Sequence, residues 1–251
     1  MRAFRGSGPA GRLPDTSTNT NNTQTMKHTK KKSPAATTAH VYILLDRSGS
    51  MAGIAPDVIG GFNTFLDQQR AAGPDARITL VQFDCQDAHE VILNGAPIAD
   101  AQHLTPAIYT PRGGTPLLDA TALLITLADA AANARRNAGL PPEQVVFVSI
   151  TDGAENSSTE HTLAQVRTLI DERTAQGWLF VFLSAALDAY GEAGSMGVHR
   201  MNTSIFAHDS EGATSAMQDL SARVMSLRED LVVERRKPWF FKEKTEGTTE
   251  Q

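Results

Sequence analysis

Asp46, Ser48 and Ser50 follow the apolar run Val41 to Leu45 as D-x-S-x-S. One carboxylate and two hydroxyls leaving a strand on a tight turn offer the hard oxygen donors that a Mg2+-like cation takes. Two further polar turns follow the same plan. Gly113-Gly114-Thr115-Pro116 presents a hydroxyl just before a helical pattern, and Thr151-Asp152-Gly153 places a carboxylate directly after the apolar run Val145 to Ile150. If those two runs are neighbouring parallel strands, Asp46 and Asp152 meet on one edge, and Ser48, Ser50 and Thr115 complete an all-oxygen site. Gly113 and Gly114 permit a close backbone approach there. Asp119, four residues after Thr115, shares its helical face and is a candidate outer acceptor, although an acid in a first helical turn needs no such role. Glu155 and Asn156 are candidate ligand contacts or plain exposed loop residues.

The elements around these turns alternate between short apolar runs and helical patterns. Val41 to Leu45 reads as a buried strand, and residues 56 to 71 as a helix with Val58, Phe62, Phe65, Leu66 and Gln69 on one face. Ile78 to Phe83 is a second strand, and His89 to Leu93 is close enough behind it to form an antiparallel edge hairpin. Pro116 suits a helix start, because its missing N–H costs nothing there; Leu117, Leu124 and Leu127 continue the apolar face, and the helix should end near Gly139. Val145 to Ile150 shows no alternation, so it should be a central strand covered on both faces. Ser157 and Glu160 make a capping-box pattern for a helix with Leu163, Val166 and Ile170 inward; Gly177 closes it, and Trp178 to Leu183 is the next strand. Helical patterns recur near 188 to 196 and 211 to 233, with an edge strand around Met201 to Phe206. This order predicts an α/β fold with a doubly wound, mostly parallel sheet, one antiparallel edge strand and helices on both faces, and such sheets bind ligands at the carboxyl ends of their strands.

Composition narrows the class. The 251 residues with 41% hydrophobic content suit one sizeable core rather than two small domains. A lone Cys85 excludes an intramolecular disulfide and a Cys-rich zinc site, and it reads as a core thiol. No apolar run approaches the roughly 20 residues that span a bilayer, and residues 1 to 40 lack a signal-peptide stretch, so the expectation is a cytoplasmic protein that does not bind membranes. Residues 1 to 38 are rich in Gly, Pro, Thr, Asn and Lys and are expected to be a disordered basic tail. Met26 within it is a plausible alternative start. The tail holds seven Lys/Arg against one Asp, leaving 16 Lys/Arg and 27 Asp/Glu from residue 41 onward, so the body is acidic and nucleic acid is not its expected partner. Gly6, Gly8 and Gly11 match G-x-G-x-x-G literally, but no strand precedes them, so the dinucleotide fingerprint is rejected.

D-R-S-G-S, the G-G-T-P turn and T-D-G together resemble the metal-ion-dependent adhesion site of von Willebrand factor A domains, over roughly residues 40 to 206. All five ligand positions of that family are filled in order, by Asp46, Ser48, Ser50, Thr115 and Asp152. The resemblance implies an intracellular member of prokaryotic type, with a domain over 39 to 210 followed by a helix and a basic, aromatic tail over 211 to 251. It also implies a bound Mg2+ or Mn2+ whose last position is filled by a Glu or Asp carboxylate of a protein partner, with the Asp residues acting through water more often than the hydroxyls. The donor chemistry agrees. Two carboxylates nearly neutralise a divalent ion, and three neutral hydroxyls leave it electrophilic enough to take one more carboxylate.

Signs of catalysis are few. There is no phosphate-loop G-K pair, no H-E-x-x-H and no G-x-S-x-G, and the seven His residues show no metal-ligand spacing, each reading as surface or core. The expectation is therefore a binding module and not an enzyme. Two alternatives stand beside it: an accessory subunit of a chaperone-like ATPase, by family analogy alone, and a metal-dependent hydrolase, since a bound cation can activate water. Arg235 to Lys242, with Trp239, Phe240 and Phe241, reads as a segment packed on the body or as a docking peptide.

Overall fold

The protein is described here by a computed structural model over residues 38–232. The expected basic tail, the Met26 start and the segment Arg235 to Lys242 lie outside the described residues.

Six strands form one sheet in the order β3-β2-β1-β4-β5-β6. They are β1 (Ala39–Asp46), β2 (Ala76–Asp84), β3 (Asp87–Pro97), β4 (Gln144–Thr151), β5 (Leu179–Ser184) and β6 (Thr203–Ile205). Every pair is parallel except β2 with β3. The sheet is thus the mostly parallel, doubly wound arrangement with one antiparallel edge that the sequence predicts, with β1 and β4 at its centre.

Both faces of the central strands are buried, and their side chains divide by parity. Val41, Ile43 and Leu45 of β1 join Val146, Val148 and Ile150 of β4 in one core layer, while Tyr42, Leu44, Val145 and Phe147 lie in the other. The first layer is covered by α1 (Ala55–Ala71) and α5 (Ser210–Val232), and the second by α2 (Leu117–Asn137) and α3 (Leu163–Ala175). A short helix α4 (Ala189–Ser195) follows β5. Gln69, on the inner face of α1, donates through Nε2 to Ser221 O and Oγ at 3.0 Å each, and its Oε1 accepts from Arg228 Nη1 at 3.0 Å, which pins α5 to α1.

Four expectations change. Helix α3 opens at Leu163, capped by Thr162 with Gln165 in a reciprocal capping box, not by Ser157 and Glu160. The earlier pattern fails because the amides of residues 157 to 161 are taken by the side chains of Glu155 and Asp119. Leu163 is exposed rather than inward, while Val166 and Ile170 are buried. Cys85 is an exposed residue of the β2–β3 turn, not a core thiol. Helix α2 is, by length and hydropathy, apolar enough to cross a bilayer, although its apolar runs are short and broken by Asp119, Thr121, Thr126 and Asp129. Its inner face, with Leu117, Ala120, Leu124, Ile125 and Ala128, is packed on the sheet.

Candidate metal centre

Strand register brings the two carboxylate turns together. Leu45 of β1 pairs with Ile150 of β4, so the residues after them, Asp46 and Thr151, leave the sheet side by side. Thr151 Oγ1 donates to Asp46 Oδ2 at 2.6 Å, and the Ser48 amide donates to Asp46 Oδ1 at 2.7 Å. Tyr109 Oη donates to the Asp46 carbonyl at 2.6 Å, tying the long loop after β3 to the end of β1. After Asp46 the chain enters a 3-10 helix, Gly49–Ile54, which holds Ser48 and Ser50 at the rim with their hydroxyls 3.1 Å apart. Ser50 Oγ donates to Asp152 Oδ1 at 2.6 Å.

Thr115 reaches the same place from the turn before α2. A methyl group added at Gly153 would lie 3.6 Å from both Ser50 Oγ and Thr115 Oγ1, so the three loops converge within a few ångströms. Backbone pairing fixes them: the Gly49 amide donates to Gly113 O at 3.0 Å, the Cys85 amide to Gly114 O at 3.0 Å, and the Asn156 amide to Thr115 O at 3.1 Å. Neighbours crowd both glycines, and the backbone of Gly113 favours glycine outright. Gly113 has φ +67°, and a Cβ there would sit 2.7 Å from Cys85 Sγ; at Gly114 a Cβ would meet Asn156 Oδ1 at 2.9 Å. All five sequence-predicted ligand residues therefore lie on one rim.

The electrostatics favour a cation. Asp46 is fully buried, and burial pushes its carboxyl up to about 6, with the Asp152 charge adding to the rise against hydrogen bonds from Thr151 and Ser48. Its hydrogen-bond partners are neutral. The nearest guanidinium in sequence, Arg47, turns away to Asp84, with Nε 2.7 Å from Oδ2, and to Glu90. A buried carboxylate beside a second one, with hydroxyls rather than ammonium or guanidinium groups around them, is a donor set that fits a hard divalent ion. Among the described residues no three His, Cys, Asp or Glu side chains cluster as a metal site.

The supporting residues were only partly foreseen. Asp119 stands in the first turn of α2, as one of the two readings of the sequence had it. It is nearly buried and accepts the amides of Thr159, Glu160 and His161, the shortest at 2.6 Å from His161. Burial alone would raise its pKa, but those amides outweigh it and hold the carboxyl below the usual range. Glu155 accepts from Ser157, Ser158 and the Leu118 amide at the start of α2, and Asn156 Oδ1 accepts from the Thr115 amide at 2.8 Å. Both residues brace the Thr115 and Asp152 loops. Asp84, fully buried, receives Arg47 and Arg112 and the amides of Gln86 and Asp87; these bonds outweigh burial and lower its pKa. Sequence reading missed His208, whose Nε2 lies 2.7 Å from Asp152 Oδ2.

Neither a protein-family model nor a curated protein sequence matches the chain. Solved structures do share its fold. The pilus adhesin SpaC from Lactobacillus rhamnosus GG superposes with a TM-score of 0.57 at 14% identity, over 77% of this chain and 31% of the adhesin. Proximal thread matrix protein 1 from the mussel byssus superposes with a TM-score of 0.51 at 16% identity, over 75% of this chain and 47% of that protein. The SpRpn10 VWA domain is matched at a TM-score of 0.48 and 11% identity, over 73% of this chain and 95% of the domain. The chain thus spans less than half of the adhesin and of the thread protein, and at these identities the likeness is one of fold.

Proposed function

We propose that the protein is a von Willebrand factor A-like binding module that holds Mg2+ or Mn2+ through Asp46, Ser48, Ser50, Thr115 and Asp152, and captures an acidic residue of a protein partner at that ion. The observation that carries this reading is the convergence of two carboxylates and three hydroxyls from three loops, beside a buried Asp46 that no basic side chain among the described residues pairs with. The cation would supply an electrophilic centre for an incoming carboxylate. The chain's own residues do the rest. Ser48 and Thr151 fix the Asp46 carboxylate, Ser50 fixes Asp152, and the Gly113-Gly114 turn sets Thr115 beside them. Likeness in fold to an adhesin supports protein partners as a class. The experiment is affinity capture in Mg2+ and in chelator, with Asp46→Ala as control. Partners recovered only by the native protein in Mg2+ support the reading; the same partners in chelator contradict it.

A further inference from the structure

Asp152 is held from both sides. Its Oδ1 accepts from Ser50 and its Oδ2 contacts His208 Nε2 at 2.7 Å, and with both in place its side chain is 1% exposed while that of His208 is 43% exposed. His208 is the outer wall of the carboxylate.

The segment that carries His208 is itself anchored. Phe206, two residues before it, is buried in the core and its amide donates to Ser184 O at 3.1 Å. Asp209, the residue after it, accepts the Gly212 amide at 2.8 Å through its side chain and the Ala213 amide at 3.1 Å through its carbonyl, which fixes the start of α5. On its other side the ring passes the 3-10 helix, since a Cβ at Gly53 would stand 3.7 Å from His208 Cε1. The imidazole therefore spans from the β6–α5 link to Asp152 and past the turn that carries Ser50. An anchored imidazole on a carboxylate is the arrangement by which outer groups orient metal-binding acids.

We propose that His208 is a positioning residue of the cation site: it holds the Asp152 carboxylate in the orientation that the Ser50 hydroxyl also meets, and it shields that carboxylate from water. This inference rests on the metal-binding reading above. Loss of the imidazole frees Asp152 to rotate and hydrate, so the site loses preorganisation rather than a ligand. Loss of such an outer partner lowers metal affinity roughly 10-fold or more. The fold should not depend on His208, because its ring is half in solvent and its neighbours Phe206 and Asp209 keep the link in place.

The test titrates Mn2+ into the native chain, His208→Ala, His208→Gln and Asp46→Ala by calorimetry, with melting curves of each in chelator. Expected are a roughly 10-fold weaker Mn2+ affinity for His208→Ala, recovery to within about threefold of native for His208→Gln, which restores an N–H donor, and melting temperatures in chelator close to native for both. A merely structural role would lower the melting temperature in chelator and would not be rescued by Gln. Equal Mn2+ affinity in the native chain and His208→Ala overturns the proposal while leaving the metal site standing; tighter binding by His208→Ala overturns it in favour of an obstructing contact. No Mn2+ binding by the native chain, or equal binding by Asp46→Ala, overturns both the proposal and the site.

Discussion

The Ser50 hydroxyl donates to Asp152 Oδ1 at 2.6 Å, joining the loop after β1 to the loop after β4 across 102 residues of sequence. Neither side chain could be placed by its own turn. Their meeting depends on β1 and β4 being parallel neighbours in a register that puts Leu45 beside Ile150.

Asp46 carries its charge in a buried place, where burial raises its carboxyl to about 6. In chelator at neutral pH, Asp46→Asn should melt higher than the native chain, by an amount on the order of 1 to 3 kcal/mol, because it removes the cost of burying an ionised carboxyl. Added Mg2+ should raise the melting temperature of the native chain and leave that of the variant unchanged. Differential scanning calorimetry with and without Mg2+ checks both halves.

Thr115 contributes a hydroxyl, while its backbone is what braces the loop, through bonds to Asn156. Thr115→Ala should therefore fold normally and lose most of the Mg2+-induced stabilisation, and Thr115→Ser should retain it. Equal Mg2+ responses in the two variants would remove Thr115 from the site.

Asp119 orders residues 159 to 161 by accepting their amides. Its replacement by Ala leaves three amides without their acceptor and should destabilise the protein by about 2 to 4 kcal/mol, since hydrogen bonds to a charged acceptor are worth about 1.5 to 3 kcal/mol each and water recovers part of the loss. Urea unfolding of Asp119→Ala measures this. A change below about 0.5 kcal/mol, the usual range for surface substitutions, would show that the loop holds itself.

A different buried group adds its own pH dependence. His40 Nδ1 lies 3.0 Å from Glu143 and its Nε2 2.9 Å from Thr79 Oγ1, at the end of the sheet remote from Asp46. Burial lowers its pKa from 6.5, against a smaller opposing pull from Glu143. The unfolded chain then takes up the proton more readily than the folded one, so the stability from neutral His40 is fully present above about 6.5 and is lost as the pH falls through the lowered folded value. Between pH 7.5 and 5.5 the native chain should lose more stability than His40→Gln, by at most about 1.4 kcal/mol for each pH unit below the unfolded value. Parallel losses in the two proteins would contradict this.

Much of the fold was legible because β1, β4 and β5 are continuous apolar runs between helical periodicities, which is how a sheet covered on both faces reads in sequence. The convergence of Asp46, Ser48, Ser50, Thr115 and Asp152 was legible for a related reason, since each turn directly follows a strand or precedes a helix whose position the pattern marks. What stayed hidden depends on long-range bonding. The pairs Ser157 with Glu160 and Thr162 with Gln165 both satisfy the capping pattern, and only the recruitment of the earlier amides by Asp119 and Glu155 decides between them. T-x-x-Q immediately before Val166 and Ile170 was the available signal. His208 had none, because it stands beyond a strand of three residues and meets a partner 56 positions away. Cys85 looked like core because it follows Phe83 and Asp84, both buried, yet the strand ends at Asp84 and the thiol emerges at the turn.

If the three loops form one cation site, Mn2+ binding measured directly by equilibrium dialysis will show it. About one Mn2+ per native chain is expected, with none held by Asp46→Ala and only a small fraction of native binding left in Thr115→Ala, all three proteins being folded by circular dichroism. Undiminished Mn2+ binding by Asp46→Ala, or none by the native chain, would contradict it.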